Sequence, residues 1–208
     1  MNIRLGRDRF FKWLRDRDML IEPKKRYVVT TQSRHRFHKH QNLIKDQAIT
    51  KPDQVWVSDI TYLRLSQGFC YLALITDAYS RKIVGYQVSA SLELKGCLEA
   101  LHKACRHRVS NGATTHHSDR GIQYCSNRYV EALQRQGIRV SMAEAGNCYE
   151  NALAERVNGI LKGEFNLDAN LGTLKQARKA VSQAIRTYNE LRPHFSLSLR
   201  TPMEVYAA

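Results

Sequence analysis

Three carboxylates in this 208-residue chain stand where their presence needs a reason. Asp59 lies in the middle of "VWVSDITYLRL" (55–65), on the side of the strand that also carries Val57, Thr61 and Leu63. A carboxylate in that setting is costly unless a cation or hydrogen-bond donors meet it. Asp53 and Asp77 fall at strand ends, where aspartate commonly caps turns; Asp59 does not. Asp119, in "HHSDRGIQYCS", follows a short strand and precedes a glycine turn. Taken alone it reads as a turn aspartate bonded to its own backbone. The third candidate comes from "GNCYENALAERVNGILKGEF", which offers Glu150, Glu155 and Glu164. On a helical wheel Asn151, Asn158 and Lys162 fall within about 60° of Glu155. Leu153, Val157, Ile160 and Leu161 lie across the wheel, and Glu150 and Glu164 fall on their side. Only Glu155 heads a polar stripe, which is expected to face the end of a sheet and a groove open to solvent.

Asp59, Asp119 and Glu155, the last two separated by 35 residues, make a hard, all-oxygen ligand set. Such a set suits Mg2+ or Mn2+, which keep waters and take phosphate oxygens as further ligands. Two such ions about 4 Å apart can activate a nucleophile and stabilise the leaving oxygen of an in-line phosphoryl transfer. Gly121 would let the turn clear the site. His117 shares a strand side with Asp119 and is either a support behind the ligands or a polar filler.

These groups need elements to hold them. Residues 55–65, 69–77 and 82–89 read as strands rich in β-branched and aromatic residues, and their short connections favour an antiparallel meander. Leu94, Leu98, Leu101 and Cys105 give 92–109 helical spacing. "TTHHSD" is a fourth strand. Ser126 or Asn127 caps a helix that Gly137 ends, and "IRVSM" is a fifth strand. Helices follow over 147–165 and 174–190, the latter opened by the box Thr173-x-x-Gln176. A last helical turn starts at Thr201, Pro202 and Glu204. The expected fold is α/β: a ribonuclease H-like, mixed five-stranded sheet flanked by helices, with a basic N-terminal helix and arm.

The arm is the second feature. The net charge is +14, and residues 1–51 hold fourteen Lys/Arg against five Asp/Glu. We divide the chain into a basic region, 1–51, and a catalytic core with C-terminal helices, 52–208. Residues 7–20 read as a short helix with Phe10, Phe11 and Leu14 on one face. The stretch that follows reads as an extended arm, in which Lys24, Lys25, Arg26, Arg34 and Arg36 are candidates for DNA phosphate contact. His35, His38 and His40 fit no closed zinc site and read as solvated histidines. Five scattered cysteines without a C-x-x-C pair fit free thiols in a cytoplasmic protein. No apolar run is long enough to span a bilayer, and the charged N-terminus is not a secretory signal.

"WVSDITYL", "ITDAYSRKIVGYQVS", "HHSDRGIQYCS", "GNCYENALAERVNGILKGEF" and "YNELRPHFSLSLRTPMEVY", in that order over 54–206, resemble the integrase-core (DDE, rve-type) transposases of bacterial insertion sequences. The likeness is to the second-frame part of the third insertion-sequence family. It implies that Asp59, Asp119 and Glu155 bind catalytic metal, as a pair of ions, and that Lys162, with Asn151 and Asn158 on the same stripe, meets DNA. It implies metal-dependent cleavage of element ends and strand transfer by a homo-oligomer on DNA. Family members usually carry helix-turn-helix units ahead of the core. Residues 7–20 resemble the last helix of one, so an upstream-frame product is an expected partner. The rival readings are a DNA-binding remnant that keeps the fold without transposing, and a general nuclease, which would not need the arm.

Overall fold

The β-branched and aromatic side chains of residues 55–64 build the central strand of the sheet. The structure, a computed structural model, describes residues 6–17, 19, 35–45, 47–109, 112–144 and 152–208. It divides into two compact units, Met1–Thr30 and Thr31–Ala208. In the first, α1 (Arg7–Arg15) is an exposed helix on which Phe10 and Phe11 meet edge to face.

In the second unit β1 (Val55–Arg64), β2 (Phe69–Asp77) and β3 (Ile83–Ser89) form the expected antiparallel meander. A crossover through α2 (Leu94–His107) leads to β4 (Thr115–Ser118), which runs parallel to β1. Two short helices, α3 (Ile122–Cys125) and α4 (Asn127–Arg135), lead to β5 (Arg139–Met142), parallel to β4. The order across the sheet is β3-β2-β1-β4-β5. Then come α5 (Ala152–Gly163), α6 (Leu174–Glu190) and α7 (Pro202–Ala207).

Alternation along each strand decides which helix covers which face. Leu63, Leu72 and Leu74 point to α5 and α6, where Val157, Leu161, Val181 and Tyr188 close the core. Trp56, Ala73 and Ile75 point to the opposite face, under Cys97, Leu101, Tyr129 and Leu133. The stripe that α2 buries is Cys97, Ala100, Leu101 and Ala104, turned slightly from the leucine stripe read in the sequence. Small residues let α2 press against β3: a Cβ on Gly85 would stand within 2.9 Å of Ala104. Both capping boxes form, Thr173 with Gln176 and Thr201 with Glu204.

The boundary expected at 51–52 does not separate the arm from the core, because 35–45 and 47–50 lie along it. The Met142 N–H donates to the Gln41 carbonyl (3.3 Å) and the Leu43 N–H to Ser141 Oγ (2.9 Å). Ile44 and Ile49 rest on the cluster of Val55, Val57, Ala78 and Ala154. Polar and basic spacing hid this, since the strap is held through backbone groups and two isoleucines. It occupies the outer side of β5, which would otherwise offer unpaired groups for association.

Candidate active site

Asp59 lies halfway along β1, on the face covered by α5. Its Oδ1 accepts from the Ile60 N–H (2.9 Å) and its Oδ2 from Asn158 Nδ2 on α5 (2.7 Å). Parallel pairing sets Val57 beside His117 and Ser58 beside Ser118. Asp119, one residue beyond, is thereby carried to the side of Asp59. Burial, reinforced by the negative charges of Asp119 and Glu155, pushes the Asp59 carboxyl up to about 7, against the Ile60 and Asn158 donors. Asp119 and Glu155, 60 and 96 positions away in sequence, therefore act electrostatically on Asp59.

Asp119 makes the bond to its own turn that the sequence suggests. Its Oδ1 accepts the Gly121 N–H at 2.9 Å. A Cβ on Gly121 would stand 2.9 Å from that same oxygen, so a side chain here would displace the carboxylate. Glu155 is exposed on the first turn of α5. Among the described residues no group of three His, Cys, Asp or Glu side chains is already gathered to hold a metal ion. The carboxylates are neighbours in charge without being closed around one point.

The stripe headed by Glu155 faces the sheet more than the expected open groove. Asn158 is 7% and Lys162 8% exposed. The Lys162 ammonium lies 4.5 Å from the centre of the Tyr62 ring on β1. The spacing was right and the direction was not: α5 lies across β1, so only its first turn reaches solvent on that side. Asn158 thus supports Asp59 directly. Arg36 is exposed, whereas Lys24, Lys25, Arg26, Arg34, Asn151 and Glu150 lie outside the described residues.

Behind the strand ends sits a neutral polar layer. His116 Nε2 lies 2.6 Å from Ser58 Oγ and 3.0 Å from the Tyr129 hydroxyl, and burial lowers its pKa to about 3. His117 Nδ1 lies 2.9 Å from Ser141 Oγ, which places it as a buried support of β4. His35, read as solvated, has its Nε2 2.9 Å from the Arg120 carbonyl. No signal in the sequence marks that pair, which spans 85 positions.

Comparison with known proteins agrees with this fold. Two family models, both described as integrase core domain, match residues 49–148 and 136–202. The 31 kDa protein of insertion element IS600 of Shigella sonnei is 34% identical over 95% of this chain and 74% of its own length. The transposase of IS629 from the same organism is 40% identical over 66% of this chain and 46% of its own. The transposase InsF of IS3A from Escherichia coli is 34% identical over 87% and 64%. The chain thus spans less than two thirds of these last two relatives. Among solved structures, the catalytic core of HTLV-2 integrase in complex with magnesium superposes with a TM-score of 0.60 at 21% identity, covering 75% of this chain and 97% of that one. A simian T-cell lymphotropic virus intasome chain does so at 0.65 and 22%, covering 84% and 59%. These two likenesses carry the fold: a ribonuclease H-like mixed sheet.

Proposed function

The chain belongs to the integrase-core transposases of bacterial insertion sequences, and we propose that it cuts and joins DNA through Asp59, Asp119 and Glu155. The observation that carries this reading is Asp59: a carboxylate raised to about 7 by burial and by two further carboxylates. Such an arrangement is unfavourable by itself and becomes favourable around a divalent cation. The donor set is all oxygen, which fits Mg2+ or Mn2+, as a pair of ions. When bound, the metal would polarise the phosphate and lower the pKa of the attacking oxygen.

The chain's own residues do the positioning. Asn158 fixes one oxygen of Asp59, the Gly121 N–H fixes one oxygen of Asp119, and Glu155 supplies the open side. The nucleophile is water in the cut and a DNA 3′-hydroxyl in the joining, with no covalent protein–DNA intermediate. The net charge of +14 supports DNA as the partner. Arg36, with Lys24, Lys25, Arg26 and Arg34, would neutralise phosphates, giving affinity that falls steeply with salt. Asn151 would offer its amide to the strand near the carboxylates, whereas Lys162, held 4.5 Å from the Tyr62 ring, would have to turn out from β1 to meet DNA. The intasome among the structural neighbours supports a homo-oligomer on DNA. A product of an upstream frame would supply recognition of element ends. No observation favours an inactive remnant.

The test is joining of pre-cut DNA ends against Mg2+ or Mn2+. Glu155→Gln should abolish joining with the fold intact, whereas Glu150→Gln should not. Loss with Glu150→Gln and survival with Glu155→Gln would reject the assignment.

A further inference from the structure

We propose that His35 is a positioning residue for Asp119, acting through the single peptide that joins Arg120 to Gly121. The proposal rests on the metal-site reading above for its catalytic consequence, and on geometry alone for the positioning.

A carbonyl oxygen only accepts, so the His35 Nε2 at 2.9 Å from the Arg120 oxygen must carry a hydrogen and donate. The other end of that peptide plane is the Gly121 N–H, which donates to Asp119 Oδ1 at 2.9 Å. One rigid unit therefore has its oxygen held by His35 and its hydrogen aimed at the carboxylate. Donation to the carbonyl also polarises the N–H and strengthens its bond to Asp119. Gly121 is the residue that tolerates this approach, because a Cβ would collide with the same oxygen.

The remaining contacts hold the frame in which His35 works. The Ala143 N–H donates to the Ser118 carbonyl at 2.9 Å, and Arg120 Nε donates to the Ala143 carbonyl at 2.8 Å. These fix the turn on both sides of Asp119 to the end of β5. The strap fixes His35 to that same strand, through Gln41 with Met142 and Leu43 with Ser141. Ser141 Oγ in turn touches His117 on β4. The strap that carries His35 also carries the exposed Arg36 and Lys39. A basic surface and a catalytic turn are thus parts of one hydrogen-bonded frame.

The experiment compares the 208-residue chain with His35→Ala and His35→Gln, the glutamine amide nitrogen reaching about where the imidazole Nε2 stands. Two readouts are taken. The first is the Mg2+ concentration for half-maximal joining, beside the KM for the DNA end. The second is amide hydrogen exchange in metal-free protein. His35→Ala should raise the half-saturating Mg2+ by about tenfold or more, as loss of a group behind a metal ligand does. It should leave the KM for DNA unchanged and speed exchange at Gly121 but not in β1 and β2. His35→Gln should restore both. Wild-type Mg2+ dependence and Gly121 exchange in His35→Ala would overturn the proposal. So would faster exchange throughout β1 and β2 without rescue by glutamine, which is what a merely structural role gives. If the wild-type chain joins no ends at any metal concentration, the functional reading fails, and Gly121 exchange alone decides the role of His35.

Discussion

Two groups of aspartates lie along strand β1 and live in opposite chemistry. At one end Asp53 and Asp77 are fully buried. Asp53 accepts from Trp56 Nε1 (2.9 Å), the Val109 N–H (2.9 Å) and the Tyr206 hydroxyl (2.8 Å). Asp77 accepts from the Ser80 N–H (2.7 Å), Ser80 Oγ (2.6 Å) and the Asp53 N–H (2.8 Å). Midway along β1, Asp59 meets two donors among the described residues and two other carboxylates. The first group joins β1, β2, the end of α2 and α7 with satisfied bonds. The second is left in deficit of positive charge. Residue type is therefore no guide to role; the balance of donors against carboxylates is.

Exchanging carboxylate for amide should separate the two groups most sharply. Asp59→Asn and Asp119→Asn should each lower the joining rate by about 10²–10³-fold or more without a loss of thermal stability. Asp53→Asn should do the reverse. It replaces one acceptor oxygen by an NH2 that faces the donors this oxygen served, Trp56 or Val109, and should cost about 3 kcal/mol in denaturant unfolding. Equal losses of stability at 53 and 59 would erase the distinction.

Tyr206→Phe removes one donor from Asp53 and a hydroxyl 3.1 Å from the His107 carbonyl. It should cost about 2 kcal/mol by the same measurement, with an unchanged joining rate per folded molecule. A smaller effect is expected from pH in metal-free protein. The Asp59 pKa is raised from its ordinary value to about 7. Below about pH 4 the carboxyl is protonated folded or unfolded and contributes nothing. Between pH 4 and 7 the unfolded chain releases the proton first, so the wild type loses stability relative to Asp59→Asn as pH rises. The difference should reach about 1–2 kcal/mol above pH 7 after solvent screening. Parallel stability curves for the two proteins would contradict a strained Asp59.

The sheet was legible because its strands are β-branched and bounded by turns, and because alternation at Val57, Asp59 and Leu63 marks one face. The stripe of Glu155, Asn158 and Lys162 was legible as a stripe. Its direction was not, since a helical wheel is blind to what the helix lies on: here β1, with Tyr62 beneath Lys162. Helix α3, four residues long, is too short for periodicity to register. The strap carries no pattern at all. Its bonds run from backbone and one histidine to residues more than 80 positions away. Asp53 and Asp77 were read correctly as strand-end aspartates, but Tyr206 as the donor to Asp53 lies 153 positions downstream and has no local signature.

The most direct test of the deficit at Asp59 is Mn2+ binding followed by paramagnetic broadening of assigned resonances. In the wild type, broadening should centre on the Gly121 amide and the Asn158 side chain and saturate with Mn2+. In Asp59→Asn it should vanish at those positions in a protein that remains folded. Broadening that is unchanged in Asp59→Asn, or that centres on Asp53 and Asp77, would contradict the account.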